Sequence, residues 1–235
     1  MNPGLYIANA AAMWSGVATS ITAPDGVLGV ATAAETRYLA CRRLAPAIVA
    51  ALAGTVPSGG RLVVEDPYGP AVKLADGVVR VLWMPVMCRR PYPVTPAGRP
   101  GVTVTAVTDA GGLAVAERVI VEGFPQPHAQ PWVAGRTLPP RVLRLPGWQV
   151  WLARRDSVPA AAGYTFDDGA AVGVYWMATL PGHRSAGLGR ALLTAMLAAH
   201  PGRTATLVAT DAGVPLYTSM GFTPVSTAAW YIRSR

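Results

Sequence analysis

Three closely spaced strand patterns lead directly into a glycine-rich loop and a helix between residues 148 and 200. The strand patterns are WQVWLARR (148–155), AAAGYTF (160–166) and AAVGVYWMAT (170–179). Asp167-Asp168-Gly169 predicts a hairpin turn between the last two, because glycine readily adopts a positive φ. The third pattern is apolar enough for a strand that is buried on both faces. Helix formers over 187–200 then follow the loop TLPGHRSAGLGRALL (179–193), which predicts an α/β (α+β) mixture of strands and helices.

Further elements are predicted on both sides of this core. VTVTAVT (102–108) has the β-branched alternation of a strand, and Asp109 is placed to cap the helix that follows, up to Pro125. On the other side, ATLVAT (205–210) and TAAWYIR (227–233) are strand patterns. A short helix between them is predicted to be capped by Asp211 and closed by Gly221.

The loop before the 187–200 helix combines two glycines with two arginines. The first N–H groups of a helix lack intrahelical partners, and the helix dipole places partial positive charge there. Gly187 and Gly189 would let a ligand approach the backbone, and Arg184 and Arg190 would add charge-assisted bonds to an anion. A tight turn with solvated arginines explains the same residues equally well.

Two nucleotide-binding patterns compete for this loop. A P-loop requires Lys and Ser/Thr after its last glycine, but Arg190 and Ala191 stand there, so we exclude it. Gly187-x-Gly189 could begin a dinucleotide fingerprint, with Asp211 as the ribose-binding acid. Against it, Leu192 occupies the third glycine position, and few residues remain after Asp211 to complete such a sheet.

Two ordered motifs resemble the GCN5-related N-acetyltransferases (GNATs). Arg184-x-x-Gly187-x-Gly189 matches the Gln/Arg-x-x-Gly-x-Gly/Ala motif of that family, and Thr179-Leu180-Pro181 resembles its splayed central strand end. The segment GVPLYTSMGF resembles the family's second motif at Leu216, Tyr217, Gly221 and Phe222. The resemblance covers about residues 101–235. It implies a mixed, mostly antiparallel central sheet flanked by helices.

The resemblance also implies acetyl-CoA as co-substrate and a primary amine as acceptor, without a metal. The residues implied to bind acetyl-CoA are Met177, Ala178, Thr179, Arg184, Ser185, Ala186, Gly187, Leu188, Gly189, Arg190 and Thr210. Tyr217 is the implied general acid, and Glu122 is the candidate base beside the alternatives Glu117 and water. The sequence departs from the family at Thr210, where Asn is frequent, at Gly213, where Ala is usual, and at Ser185-Ala186.

Residues 1–99 lack these motifs and are predicted to form a smaller, degenerate acetyltransferase-like domain before a catalytic domain at 100–235. Helices are predicted over 7–21 and over 33–54, the second with a kink at Pro46. Residues 61–90 align weakly with 205–235, placing Asp66 on Asp211 and Val72 on Tyr217. The N-terminal copy is therefore not expected to bind acetyl-CoA. PYPVTPAGRPG (91–101) is interpreted as the linker.

The net charge of +8 comes almost entirely from scattered arginines, so no nucleic-acid partner is expected. Twelve acidic residues argue mildly against a polycationic acceptor, which leaves a small-molecule or peptide amine. Two distant cysteines give no metal or disulfide pattern, and we expect a cytoplasmic protein without a membrane partner, as a monomer or homodimer. A non-catalytic acyl-CoA-binding regulator, a dinucleotide oxidoreductase and a nucleic-acid-binding module remain alternatives.

Overall fold

The computed structural model describes residues 2–55, 61–69, 79–95, 98–124 and 129–234. The helices in these ranges are α1 (Gly4–Val17), α2 (Pro46–Gly54), α3 (Ala110–Gly123), α4 (Leu188–Ala198) and α5 (Val214–Ser219). The strands are β1 (Thr19–Ser20), β2 (Val27–Ala31), β3 (Glu35–Ala40), β4 (Arg61–Asp66), β5 (Arg80–Arg89), β6 (Val102–Ala106), β7 (Trp148–Arg155), β8 (Val158–Asp167), β9 (Ala171–Thr179), β10 (Thr204–Val208) and β11 (Thr223–Ser234).

The chain divides into two compact units. The first unit comprises residues 1–88 together with 206–235, and the second comprises residues 89–205. The boundary at 205/206 falls inside β10. The sequence predicts one domain at 1–99 and a second at 100–235, the first being a degenerate copy of the second. These domain boundaries stay a prediction.

The sheet of the first unit has the strand order β1-β2-β3-β4-β11-β5. The β3–β4 pair is parallel, and the other neighbours are antiparallel. β11 therefore lies between β4 and β5, although it comes from the other end of the chain. Val49 of α2, Leu62 of β4 and Tyr231 of β11 meet in a hydrophobic core.

Four buried charged side chains, Glu35, Arg37, Arg61 and Glu65, form what we call the Arg37 cluster. Arg37 Nη1 lies 2.6 Å from Glu65 Oε2, and its Nη2 lies 2.7 Å from Glu35 Oε1. Arg61 Nη1 lies 3.5 Å from Glu35 Oε2, and the Tyr6 hydroxyl of α1 donates to Glu65. Two guanidinium groups thus balance two carboxylates within the first unit.

Burial of the charges in the Arg37 cluster is unfavourable, and the ion pairs within the cluster offset this cost. Desolvation raises the pKa of Glu65, against the opposing effect of Arg37. Burial would lower the pKa of Arg37, but the two carboxylates together raise it above its ordinary value. The rings of Trp14 and Trp230 lie 4.8 and 4.6 Å from the Arg37 guanidinium carbon, so cation–π contacts add to the ion pairs.

The second unit contains an antiparallel meander in the order β6-β7-β8-β9. The predicted turn before β9 is confirmed: Gly169 has φ +91°, and the Asp168 amide donates to the Ala171 carbonyl at 3.2 Å. The predicted cap of α3 is also confirmed, since Asp109 accepts from the Gly112 amide at 2.8 Å. The local turn and cap signals therefore predicted the turn before β9 and the start of α3 correctly.

The helices α3 and α4 cover opposite faces of this meander. A β-carbon on Gly163 of β8 would lie 3.1 Å from Met196 Cε of α4. The neighbouring Ala162 pairs with Ala178, whose side chain contacts Gly123 of α3. Because successive strand residues point to opposite faces, the two helices lie on opposite sides of β8.

Three predicted features are wrong. Residues 35–40 form β3 rather than a helix, because the segment pairs with β2 and β4 and buries its charges in the Arg37 cluster. Pro46 does not kink a helix but starts α2, where its missing N–H costs nothing. Asp211 does not cap α5, because the helix begins two residues later with Gly213 at the N-cap and Pro215 in its first turn.

Helices packed on mostly antiparallel strands confirm the predicted mixed α+β class. The helix predicted over 7–21 is α1, which begins and ends earlier. The predicted helix stop at Pro125 and the alignment of Val72 with Tyr217 lie outside the described residues. Within the described ranges, no helix is long and apolar enough to span a membrane.

Candidate functional site

Residues 180–187, which we call the phosphate loop, are predicted to bind an anion, and they connect β9 to α4 through two left-handed residues. A short 3-10 turn at Pro181–His183 follows the strand, and Ser185 has φ +59°. Gly187, with φ +76°, is the N-cap residue of α4. An L side chain rarely adopts this conformation, so the backbone favours glycine at 187.

The N-terminus of α4 has no cap from its own residues. Gly187 has no side chain that could accept from the first amides, and the first turn contains no acidic residue. Leu188 is buried, whereas Arg190 in the same turn is exposed. The first amides of a helix have no intrahelical acceptor, and together with the positive end of the dipole they favour an anionic ligand at this position.

The side chain of Arg99 lies against this helix start, which the sequence did not indicate. A β-carbon built on Gly187 would overlap with Arg99 Nη1 and lie 3.0 Å from its Cζ. A guanidinium group carries only donors, so it cannot accept hydrogen bonds from the helix amides. Arg99 therefore adds positive charge at the start of α4 without satisfying its N–H groups.

Arg184 has partners within the protein. Its Nε donates to the Thr179 carbonyl at 3.2 Å, and its Nη2 donates to the Gly123 carbonyl at 3.0 Å. Gly123 is the last residue of α3, and a β-carbon there would lie 2.9 Å from Ala178 Cβ. Arg184 thus ties the phosphate loop to the end of β9 and to the C-terminus of α3.

A β-bulge precedes Met177, Ala178 and Thr179, which the resemblance implies as acetyl-CoA-binding residues. Ala162 pairs with Ala178 and Tyr164 with Tyr175, so Gly163 lies opposite both Trp176 and Met177. Trp176 has φ +51°, and a β-carbon on Gly163 would lie only 3.0 Å from Met177 Cγ. A bulge redirects the backbone groups of its strand, here immediately before Met177, Ala178 and Thr179.

The first unit contains Tyr217, near the end of α5. A Schellman motif ends this helix: the Phe222 amide donates to the Tyr217 carbonyl, the Gly221 amide donates to Thr218, and Gly221 has φ +87°. The rings of Tyr217 and Phe222 form the accompanying contact, with centroids 5.8 Å apart. The Tyr-x-x-x-Gly-Phe pattern is therefore a helix-ending motif that fixes the tyrosine ring.

Burial raises the pKa of Tyr217 to about 12, so its phenol is a neutral hydrogen-bond donor at physiological pH. Its ring uses the space left by Gly213, where a β-carbon would lie 2.8 Å from Tyr217 Cε2. The Thr210 carbonyl accepts from the Gly213 and Val214 amides and so fixes the turn before α5. The departure from the family at Gly213 thus gives the tyrosine room.

The two glutamates of α3 have different environments. Glu122 is exposed and pairs with Arg118 four residues earlier, at 2.7 Å. Glu117 is fully buried, and it accepts three backbone N–H groups, from Gly135, Thr137 and Leu138, at 2.6 to 2.9 Å. Glu117 therefore orders the segment after α3, a role that the sequence pattern did not reveal.

A second polar cluster in the second unit resembles a hydrolytic triad but cannot act as one. Thr165 Oγ1 lies 3.4 Å from His200 Nε2, and His200 Nδ1 lies 3.5 Å from Asp167. Thr165 is 1% exposed and accepts from the Trp151 indole, so no substrate reaches its hydroxyl. No three His, Cys, Asp or Glu side chains are grouped to hold a metal in the described ranges.

One family model and several solved structures are similar to this chain. The family model "Acetyltransferase (GNAT) domain" matches residues 146–224, which include the phosphate loop and α5. No curated protein matches the sequence. The fold is similar to a GCN5-related N-acetyltransferase from Kribbella flavida, with 20% identity, a TM-score of 0.63, and coverage of 99% of this chain and 96% of that one.

Two further solved structures have similar folds. A putative GNAT-family acetyltransferase from Novosphingobium aromaticivorans has 18% identity and a TM-score of 0.62, with 99% of this chain and 97% of that chain covered. A tandem GNAT protein from the clavulanic acid biosynthesis pathway has 15% identity and a TM-score of 0.54, with coverage of 88% and 78%. Residues 146–224 are therefore similar to the acetyltransferase (GNAT) domain, and the fold is similar to that of solved GNAT proteins.

Proposed function

We propose that this protein transfers an acetyl group from acetyl-CoA to a primary amine by direct attack of the amine. The uncapped start of α4 is the observation that carries the proposal. This helix start lies inside the segment that matches the GNAT domain, and it combines a left-handed glycine with the neighbouring guanidinium group of Arg99. Such a helix start suits a diphosphate, whose oxygens accept from several amides at once.

The donor is assigned to two stretches of backbone. The residues proposed to bind the diphosphate are Arg184, Ser185, Ala186, Gly187, Leu188, Gly189 and Arg190. The backbone of Met177, Ala178 and Thr179 and the loop at Thr210 are assigned to the pantetheine arm. An N–H group of residues 177–179 is assigned to the thioester oxygen, where it would stabilise the charge that develops during attack.

In the proposed reaction the amine nitrogen attacks the thioester carbon, and the C–S bond breaks. The leaving sulfur takes a proton, and Tyr217 is the proposed donor of that proton. Its pKa of about 12 keeps the phenol protonated but makes it a weaker acid than a free tyrosine. We therefore assign Tyr217 to hydrogen bonding of the sulfur, with proton delivery as negative charge accumulates there.

The attacking nitrogen must also lose a proton. Glu122 is the sequence-based candidate base, but its carboxylate is exposed and paired with Arg118. Glu117 is unsuitable, because three amides occupy its buried oxygens. We therefore favour water as the proton acceptor, with orientation of the two reactants supplying much of the acceleration. Replacement of Glu122 by Gln would then leave turnover within about twofold.

The acceptor is proposed to be a small-molecule or peptide amine, and the protein is proposed to act in the cytoplasm as a monomer or homodimer. The cysteines described, Cys41 and Cys88, are both free thiols, which suits a reducing compartment.

The second candidate function is a non-catalytic acyl-CoA-binding regulator, which the same helix start would support. An antiparallel β8–β9 pair before the loop disfavours a dinucleotide oxidoreductase, whose fingerprint follows a parallel βαβ unit.

A thiol-release assay with acetyl-CoA and a panel of primary amines, amino acids and peptides tests this proposal. Amine-dependent release of CoA supports the enzyme, and release that no amine stimulates, together with CoA binding by calorimetry, supports the regulator. Stabilisation by NAD(P)H but not by CoA would indicate the oxidoreductase. Salt-sensitive binding of duplex DNA would indicate a nucleic-acid module.

A further inference from the structure

Arg99 belongs to a turn that fixes its position at the start of β6. The Val102 amide donates to the Arg99 carbonyl at 3.0 Å, and Gly101 has φ +71°. Proline at 100 and a left-handed glycine at 101 are the residues that a type II turn requires. The Asp156 amide also donates to the Gly101 carbonyl at 2.7 Å, which anchors this turn to the β7–β8 connection.

The side chain of Arg99 extends from this turn to Gly187, the N-cap residue of α4. The contact is close enough that any β-carbon at 187 would overlap with Nη1. Arg99 is exposed, and it has no ion-pair partner in the part of the chain that the structure describes.

A guanidinium group is electrostatically unfavourable at the positive end of a helix dipole. An anion between the Arg99 guanidinium and the N-terminus of α4 replaces this repulsion by attraction, because it attracts both the helix amides and the guanidinium. The planar fork of arginine matches two phosphate oxygens at once, which a lysine cannot do. The arrangement is therefore one that a phosphorylated ligand would stabilise.

We propose that Arg99 binds the diphosphate of CoA and holds it against the N-terminus of α4. This inference rests on the proposed function and adds a binding residue from outside the matched segment 146–224. Gly187 then serves two purposes, since it adopts the left-handed conformation and leaves space for the guanidinium. Arg184, whose donors reach two carbonyl groups, is left to position the loop.

Calorimetric titration of the full-length protein with CoA and with 3′-dephospho-CoA tests the proposal. Arg99→Gln should weaken both ligands by a similar factor, on the order of tenfold, because both carry the diphosphate. Arg99→Lys should recover part of the affinity, since it restores the charge without the fork. Arg203→Gln is the matched control: it removes one positive charge beyond the other end of α4, roughly 16 Å away along the helix axis.

The melting temperature without ligand separates binding from a structural role. Arg99→Gln should melt at or slightly above the wild-type temperature, because it removes a cation from the positive helix end, while the stabilisation produced by CoA should shrink. Wild-type CoA affinity in Arg99→Gln, or a loss confined to CoA and absent with 3′-dephospho-CoA, would overturn the inference and leave the proposed function intact. Failure of the wild-type protein to bind CoA would overturn both.

Discussion

Replacement of Arg37 by methionine tests whether the Arg37 cluster depends on internal charge balance. Methionine keeps an unbranched chain of similar length between Trp14 and Trp230, so most of the packing survives. The substitution removes both short ion pairs and leaves Arg61, which pairs with Glu35, as the remaining cation of the cluster. The buried group then carries a net charge of −1, from two carboxylates and one guanidinium.

The expected loss of unfolding free energy is large. Removing one partner of a buried ion pair costs about 3–5 kcal/mol, because the other partner stays buried without compensation. Arg37 is 2% exposed and Glu65 is fully buried, so solvent does little to reduce this cost. A loss of about 4 kcal/mol would be a substantial share of the ~5–15 kcal/mol that stabilises a typical protein.

The control is the double variant Arg37→Met with Glu65→Gln. It restores neutrality, since Glu35 and Arg61 remain paired, and glutamine can still accept from the Tyr6 hydroxyl. We expect it to recover about 2 kcal/mol of the lost stability, because a neutral polar group is far less costly to bury than a charge. The measurement is urea unfolding followed by tryptophan fluorescence, with the m-value as a check on two-state behaviour.

The pH dependence gives an independent check. Desolvation raises the folded-state pKa of Glu65, and Arg37 opposes this effect. Removal of Arg37 therefore moves that pKa further above its unfolded value. A raised carboxyl pKa contributes stability that is present at low pH and lost as pH rises. The difference in unfolding free energy between the single and the double variant should therefore be smaller at pH 5 and larger at pH 8. A single variant within 1 kcal/mol of wild type, or one no less stable than the double variant, would refute the reasoning.

Three further predictions concern the site and its support. Tyr217→Phe should lower turnover about 10- to 100-fold with CoA affinity nearly unchanged, and equal losses in both would make Tyr217 a packing residue. Because burial raises the pKa of Tyr217 to about 12, the rate–pH profile of the wild type should show no tyrosine-dependent decline up to about pH 10.5. Gly187→Ala should cost about 1–2 kcal/mol in urea unfolding and also weaken CoA in calorimetry, because it strains φ +76° and displaces Arg99; an unchanged CoA affinity would contradict the site. Glu117→Gln should cost about 1–3 kcal/mol, since one of its oxygens is replaced by a donor facing other donors, and unchanged stability in urea would show that the three amides do not depend on it.

The second unit was predictable because its signals are local. The Asp-Asp-Gly turn, the Asp109 cap and the alternating strands each identify their element from a few neighbouring residues. The motif containing Gly187 could be located in the same way. The Tyr217 motif is likewise local, since its Gly-Phe pair is the sequence signature of a Schellman helix end.

The features that the sequence did not reveal depend on distant partners. β3 contains Glu35 and Arg37, and only their pairing with Glu65 and Arg61 explains why a charged segment is a buried strand. Arg99 belongs to a segment rich in proline and glycine, which indicates a linker until the fold brings its side chain to Gly187. Glu117 has the spacing of a solvated helix face, and its three amide donors lie 18 to 21 residues further along the chain.

The position of β11 between β4 and β5 has a consequence for how the protein is made. Residues 1–88 leave the ribosome long before 223–234, and until then β4 and β5 lack the strand that joins them. At ~5–20 residues per second, synthesis of the intervening segment takes roughly 7 to 27 s. The nascent N-terminal segment therefore exposes unpaired edges of β4 and β5 during that interval, and exposed strand edges are sites at which other chains can pair.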